Sequence, residues 1–387
     1  MTYHLLLKMG DSEIRAWKHL SPLRKAELSV HCEITRGRKR PNKDKTAPIE
    51  YNIAKIYSTI AEDFTECQVC VVDITREPTL RSSETQALGH SAGGYAVWVA
   101  KVNELHAENA KVRPTLIVNP SENDDYDQYE ADILAQFDAF AKRYDLISYR
   151  ASVLHDEGFI DDLTMLADRA NAFIEQEKRF EIILDFEFVQ ASTAALHAAY
   201  VAPLISQIRS IIPHASIVSL GTSFPKSVTD VGDEERDEFR LEELALYEAI
   251  NRAQNQPIEY GDYGSINPIR NDAFIPVGQY LRARIDFPTD KKSIYYHRVA
   301  PNVDPNTKRL ISPRSSMYKA AAKRVMADAS HSPLRDSWGY DKIVEAATKA
   351  PEGSSPNFWI SVRMEMHICR RLDAMAQQAA TSGLGNV

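Results

Sequence analysis

The sequence has few cysteines and no grouping of them that indicates disulfides or a zinc site. Only four occur among 387 residues: Cys32, Cys67, Cys70 and Cys369. A secreted chain of this size stabilised by disulfides would use more, so a reducing compartment is expected and the predicted localisation is cytoplasmic. Cys67 and Cys70 form a C-x-x-C, but it enters a predicted strand and no second C-x-x-C follows it. We therefore expect buried or half-buried thiols.

Long apolar runs and motifs for cofactors are also missing. No stretch is apolar enough to span a bilayer and no signal peptide opens the sequence, so no membrane association is expected. H-x-x-H and H-E-x-x-H are absent, so no transition-metal site is predicted. The cofactor stays unknown, with a divalent cation on carboxylates as one alternative. The net charge of −8 argues against a nucleic-acid scaffold, although a local basic patch could still bind phosphate.

What the sequence does contain is a regular alternation of strand-like and helix-like segments. Eight such alternations in roughly 260 residues predict an α/β fold of the (β/α)8 TIM-barrel type. A doubly wound open sheet is the competing arrangement, but no glycine-rich dinucleotide fingerprint follows the first strand. Helical spacing predicts the first helix from Ser12 to about residue 28 and the third within residues 82–107. A very acidic start predicts the seventh helix over residues 234–254. The predicted strands cover residues 3–8, 29–34, 68–74, 114–118, 145–150, 180–189, 216–220 and 257–263.

The pattern changes after Gly264. Residues 280–287 alternate apolar and polar positions, a turn follows at 288–292, and a second strand pattern returns over 293–299. This predicts a β-hairpin with one basic face. Helical spacing follows over residues 317–329, 340–350 and 358–375. We therefore predict a barrel domain over residues 1–265 and an extension of a hairpin and helices over residues 266–387.

Polar residues stand where the predicted strands end, which is where barrel enzymes carry their sites. Carboxylates there can hold Mg²⁺ or act as general acid and base, and cations can hold an anion. The alternative to a functional site is that these residues are polar only because strand ends are exposed to solvent, and that Asp73 and Arg150 only pair with each other. The catalytic candidates are Glu33, Asp73, Asp185, Glu187 and Asp262. The ligand-binding candidates are Lys8, Arg36, Asn119, Arg150, Ser223 and Tyr263.

The segment Gly89–Gly94 reads GHSAGG, which is similar to the nucleophile elbow of α/β-hydrolases. An elbow needs a strand immediately before its serine, here Ser91, but the preceding residues have helical spacing. Asp185 and His214 can be nominated as triad partners, as in any long chain. The simpler interpretation is that Gly93 and Gly94 mark a helix break or a close packing contact.

Two basic stretches raise the alternative of nucleic-acid binding. The loop at residues 35–45 is strongly basic without aromatic residues, so a solvated loop is the commoner explanation. The hairpin is the better candidate because it carries Tyr280, Tyr295 and Tyr296. His367, within the last predicted helix, is expected to be packed and hydrogen-bonded.

Several short motifs, in this order, are similar to those of the phage-related beta protein family. Lys8 and Glu13 match its first strand and helix. Glu33-Ile34 match the end of its P-L-x-E-I, with the proline and leucine replaced. Residues 221–225 resemble its G-x-S-F-P, and residues 261–264 its G-D-Y-G. Trp359 and His367 match its last helix, where Met366 replaces a second histidine.

The resemblance spans most of the chain and implies a barrel-like α/β fold and an association with phage–host conflict, but it transfers no catalytic role. The first hypothesis is therefore a binding or effector component that acts through the barrel mouth and the extension. Its partner would be a protein or a phosphate-bearing ligand. The second is a hydrolytic or phosphoryl-handling enzyme that uses the strand-end carboxylates. Homo-oligomerisation stays open.

Overall fold

The computed structural model describes residues 2–39, 50–118, 125–227, 234–270 and 281–383. The strands are β1 Tyr3–Leu7, β2 Leu28–Ile34, β3 Val69–Ile74, β4 Val112–Leu116, β5 Leu146–Ser152, β6 Arg179–Phe188, β7 Ser216–Thr222, β8 Arg236–Arg240, β9 Glu259–Asp262, β10 Ala283–Pro288 and β11 Ser293–Val299. The helices are α1 Asp11–His19, α2 Pro22–Ala26, α3 Ile53–Asp63, α4 Ser83–Leu88, α5 Ala92–Glu108, α6 Tyr126–Ala141, α7 Phe159–Ile174, α8 Ala194–Ile211, α9 Glu242–Ala253, α10 Arg314–Met326, α11 Trp338–Thr348 and α12 Pro356–Gly383.

The described residues form two compact units. The first contains the start of the chain up to Gly10, Lys25–Gly221 and Ala245–Tyr263. The second contains Asp11–Arg24, Thr222–Leu244 and the chain from Gly264 onward. The last segment of the second unit thus begins beside the domain boundary that we place at residue 265. Its two earlier segments come from a part of the sequence that we assign to the barrel.

The first unit is a closed barrel of parallel strands, so the predicted (β/α)8 architecture is confirmed. The strand order is β1-β2-β3-β4-β5-β6-β7-β9. The barrel closes where Tyr3, His4 and Leu5 lie opposite residues 260–262 of β9. β1 and β2 are buried along their whole length, as expected for strands covered on both faces. Leu6, Ile183, Val218, Leu220 and Tyr263 form one buried apolar cluster in this unit.

The predicted helix over residues 234–254 is wrong in its first third. Residues 236–240 form β8, which pairs antiparallel with β11, and α9 begins only at Glu242. The acidic residues that we interpreted as the helix start belong in part to this strand. The local sequence could not show this, because the strand depends on pairing with residues 293–297, far along the chain.

Two other predicted helices are each divided in two. The first, beginning at Ser12, breaks between α1 and α2, and Pro22 occupies the first position of α2. The third is α4 followed by α5, and in α5 Gly93, Gly94 and Tyr95 have φ between +58° and +70°. The helix break expected at the two glycines is confirmed. Ser91 follows helix α4 instead of a strand, so the hydrolase elbow is absent.

The second unit contains the predicted hairpin, β10 and β11, extended by β8 to a three-stranded antiparallel sheet. Within this unit α1 packs on α12, where Arg15 donates to the Ser361 hydroxyl and the backbone carbonyl of Asn357. Arg24 donates to Asp373 of α12 over 2.9 Å. All four cysteines are free and buried, as expected. Among the described residues, no helix is long and apolar enough to cross a membrane.

Candidate functional site

Six predicted site residues meet at the carboxyl ends of the barrel strands. They come from β2, β3, β5 and β6 and from the residues that follow β1 and β9, and Glu33 lies directly opposite Asp73 in the β2–β3 register. Each of these residues lies on the face of its strand that points into the barrel, and closure of the sheet brings them together in the interior. We call them the Arg150 cluster: Lys8, Glu33, Asp73, Arg150, Asp185 and Tyr263.

Arg150 is the centre of the cluster. Its Nη1 donates to Glu33 Oε2 over 3.0 Å and to Asp73 Oδ2 over 2.7 Å. Its Nε donates to Asp185 Oδ2 over 3.0 Å. The pairing of Arg150 with Asp73, considered from the sequence alone, is thus one of three that Arg150 makes. Charge-assisted hydrogen bonds of this kind fix both partners in one geometry.

Lys8 and Tyr263 complete the cluster from either side. Lys8 Nζ donates to Glu33 Oε1 over 3.1 Å, and the Tyr263 hydroxyl donates to Asp185 Oδ2 over 2.6 Å. The side chains of Glu33, Asp73, Arg150 and Asp185 are at most 5% exposed. Three carboxylates and two cations leave a formal charge of −1 in this buried space.

The ion pairs decide the protonation of the cluster. Burial by itself raises the pKa of Glu33, but Lys8, Arg150 and a hydrogen bond from Thr75 outweigh it and lower that pKa to about 2. Burial also disfavours the charged form of Arg150 and so lowers its pKa, but Tyr263 and the carboxylates raise that pKa well above its ordinary value. Burial and Asp185 raise the pKa of Tyr263. Glu33 is therefore an anion at neutral pH, and Tyr263 keeps its proton.

Glu187 lies at the outer edge of the cluster. Its carboxylate accepts a 2.8 Å hydrogen bond from the Ser152 hydroxyl, and its backbone N–H donates to Asp185 Oδ1. Its side chain is 29% exposed, against 1% for Asp185. Glu187 has a φ of +55°, a strained conformation that tends to occur at functional sites. Among the five predicted catalytic carboxylates, Glu187 is the most accessible.

Asp262 points away from the cluster. Adjacent residues of a strand face opposite sides, so Asp262 and Tyr263 diverge. Asp262 accepts 2.7 Å hydrogen bonds from the hydroxyls of Tyr3 and Tyr260. Asp262 therefore lies on the outer face of β9, whereas a catalytic group of the barrel mouth has to lie on the inner face.

The remaining predicted ligand residues are not part of the cluster. Arg36 donates to the Tyr51 hydroxyl and lies over that ring, with 4.4 Å from Cζ to the ring centroid. The Ser223 hydroxyl accepts from the backbone N–H groups of Glu242 and Glu243, so it caps the start of α9. Asn119 lies outside the described residues.

In the described strands of the basic hairpin, the two tyrosines expected to stack on bases lie in the interior. Tyr295 and Tyr296 are both buried. Arg284 pairs with Asp286 and lies over the ring of Tyr296, with 3.9 Å to its centroid. These contacts use the aromatic faces inside the second unit. Tyr280 and part of the basic loop at residues 35–45 lie outside the described residues.

Sequence reasoning missed a second polar group inside the barrel. His4 of β1, His31 of β2, Glu181 of β6 and Glu259 of β9 interact nearer the amino ends of the strands. We call these four residues the His–Glu layer. Burial, His4 and Arg150 hold the pKa of His31 well below its ordinary value. Their only signal in the sequence is spacing, because His31 and Glu181 stand an even number of residues before Glu33 and Asp185.

The two polar groups suit different cations. The Arg150 cluster and Glu187 offer carboxylate oxygens, which are ligands for Mg²⁺ and can also act as general acid or base. The His–Glu layer offers imidazole nitrogens together with carboxylate oxygens, the donor set of zinc and its neighbours.

Comparison with known proteins identifies the family of the chain. The beta protein family matches residues 3–373. Protein beta of Enterobacteria phage P4 is 30% identical over 193 residues, which cover 50% of this chain and 50% of that protein. The chain thus spans about half the length of this curated relative. Since the family match covers nearly the whole chain, the chain belongs to the beta protein family.

Proposed function

We propose that this beta-family protein acts in phage–host conflict as a binding or effector component whose ligand is held at the carboxyl end of the barrel. One observation carries the proposal: three carboxylates and a guanidinium from four different strands converge there, each at most 5% exposed. The relative from phage P4 supports the phage setting.

Stability alone is a poor reason for such a cluster. Removing several charges from water is costly, and apolar side chains of similar volume often stabilise a protein as well or better. The carboxyl end of a barrel is also where characterised enzymes of this architecture bind their ligands. A ligand that uses these charges accounts for both their burial and their position.

The charge balance indicates the chemistry of that ligand. The cluster has a formal charge of −1, and Glu187 adds a further negative charge at its edge. A hard divalent cation such as Mg²⁺ suits this set of oxygens. A phosphate-bearing ligand would therefore bind together with a divalent ion, because Arg150 is already shared among three carboxylates.

The test is a thermal-shift screen of the purified protein with Mg²⁺, nucleotides and sugar phosphates. We expect a ligand to raise the melting temperature of the wild type but not that of Asp185→Asn. Asp162→Asn is the matched control, because Asp162 is a buried aspartate that accepts from Tyr129 and Tyr149 outside the cluster. A screen without any shift, or an equal shift in Asp185→Asn, would contradict the proposal.

The role in phage–host conflict has its own readout. Cells that express the wild type should change the plaquing efficiency of at least one phage in a diverse panel. Asp185→Asn at equal abundance should lose that change, whereas Asp162→Asn should retain it. Equal plaquing with wild type and empty vector across the panel would contradict this role.

A hydrolytic or phosphoryl-handling enzyme is the second candidate, and the strained, accessible Glu187 favours it. With such an enzyme, Glu187→Gln would keep ligand binding but lose turnover of the nucleotide or sugar phosphate identified by the screen. A pure binding protein would show no turnover in the wild type either.

A further inference from the structure

We propose that the barrel interior binds one zinc ion through His4, His31 and Glu181 of the His–Glu layer. All three residues face inward, because His4 precedes Lys8 by four positions, His31 precedes Glu33 by two, and Glu181 precedes Asp185 by four. The site lies on the amino-terminal side of the Arg150 cluster and is separate from the proposed ligand site.

The donor atoms already have the spacing that one ion needs. His4 Nδ1 lies 3.1 Å from His31 Nε2. Glu181 Oε2 lies 3.7 Å from His4 Nδ1, and Glu181 Oε1 lies 3.6 Å from His31 Nε2. Zinc binds nitrogen and carboxylate oxygen at about 2.0–2.2 Å, which places the ligands of a tetrahedral site about 3.2–3.6 Å apart. Small side-chain adjustments are enough to close the site.

Both oxygens of Glu181 face the histidines, so a bidentate carboxylate and two imidazoles give four donor atoms. The borderline imidazole nitrogens distinguish this site from a Mg²⁺ site, which is built from oxygen. The three side chains are at most 4% exposed. This closure is typical of a structural ion and not of a catalytic one.

The surrounding residues hold the ligands in the required orientation. His4 Nε2 lies 2.6 Å from Glu259 Oε2, and the Ser216 hydroxyl donates to Glu259 Oε1. A carboxylate that accepts the Nε2 proton leaves the Nδ1 lone pair of His4 directed at His31, the arrangement common around zinc. Ser148 and Arg179 donate to the two oxygens of Glu181 and fix its plane.

Charge gives a further argument. With both histidines neutral, Glu181 and Glu259 against Arg179 leave a formal charge of −1 in the layer. The alternative to a metal ion is a proton held between the two imidazole nitrogens. The two alternatives differ in metal content and in the spectrum of a bound metal, so experiment can distinguish them.

The experiment begins with the full-length protein expressed in zinc-supplemented medium. We expect elemental analysis to find about one zinc per chain. After a chelator has removed the zinc, added Co²⁺ should give the visible absorption of a four-coordinate site. His31→Gln and Glu181→Gln should each lower zinc affinity at least tenfold. Glu259→Gln, which weakens the hydrogen bond that orients His4 and removes one negative charge from the layer, should lower it about 10–100-fold.

Two controls keep the result specific. His106→Gln removes an imidazole that contacts the Val112 carbonyl outside the layer, and it should retain the zinc. Asp185→Asn should retain it too, so failure of the zinc site and failure of the ligand site are distinguishable. If the variants do not fold, X-ray absorption at the zinc edge of the wild type should show two imidazole ligands.

Three results would overturn the proposal. The first is folded wild type that contains no zinc and gives no Co²⁺ absorption. The second is zinc bound as tightly by folded His31→Gln and Glu181→Gln as by the wild type. The third is an X-ray absorption spectrum without imidazole ligands.

Discussion

Arg150 shows how much of the barrel depends on a single side chain. It joins Glu33, Asp73 and Asp185, from three other strands, in a place where water does not screen their charges. Replacing it by methionine keeps much of the volume but leaves three buried carboxylates without their common partner. We expect Arg150→Met to lower the free energy of unfolding by about 3–5 kcal/mol, measured by urea denaturation at pH 7.

Arg169→Met provides the comparison. Arg169 also pairs with an aspartate, Asp138, over 3.0 Å, but the two side chains are 40% and 49% exposed. Its loss should cost less than about 1 kcal/mol. Similar costs for the two variants would show that the burial of the Arg150 cluster does not govern its energetics.

At the scale of elements, predictions succeeded where a segment carries its own signal. β2 is predictable as a strand because apolar residues alternate with Ser29, His31 and Glu33 between a helix and a polar loop, and Glu33 is predictable as a site residue because it lies at the end of that strand. β8 gave no such signal. Its residues are mostly charged, and only pairing with β11 makes them a strand. Tertiary pairing here overrides local preference.

The kink in α5 supports a sharper element-scale prediction. Gly93 and Gly94 have φ of +66° and +70°, so alanine is strained at either position. A Cβ on Gly94 would lie 2.7 Å from the Ala135 Cβ of α6, whereas one on Gly93 would meet Ala96 at an ordinary 3.5 Å. We expect Gly93→Ala to cost about 1 kcal/mol and Gly94→Ala about 3 kcal/mol in urea denaturation. Equal losses of unfolding free energy for the two variants would mean that α5 and α6 move apart easily to accommodate the added methyl group.

At the scale of the whole molecule, closure of the barrel decides which residues meet. Arg150 and Asp185 come from neighbouring strands, but Arg150 and Glu33 lie across the interior, 117 residues apart in sequence. The sequence could place these residues at strand ends, because polarity and position predict that. The sequence could not show that His4 and Glu181 are neighbours or that Asp262 faces outward. Both facts depend on the face and stagger of each strand in the closed sheet.

Stability against acid is the property of the whole molecule that this arrangement predicts. Burial opposes ionisation of Glu33 and Glu259, but Lys8 and Arg150 act on the first, and His4 and Ser216 on the second, to lower each pKa from 4.5 to about 2. The folded protein therefore binds fewer protons than the unfolded chain between these values. The stability that each carboxylate contributes is complete above pH 4.5 and is lost as the pH falls toward 2.

Urea denaturation of the wild type and Glu33→Gln between pH 7 and pH 3 tests this directly. Glu33 should account for about 2 kcal/mol of the wild-type loss over that range. Glu33→Gln should therefore be less stable at pH 7 but lose correspondingly less on acidification. The exposed Glu175→Gln should follow the wild-type curve. Parallel curves for wild type and Glu33→Gln would mean that Lys8 and Arg150 do not hold Glu33 ionised in the folded barrel, and the charge balance assigned to the Arg150 cluster would then be wrong.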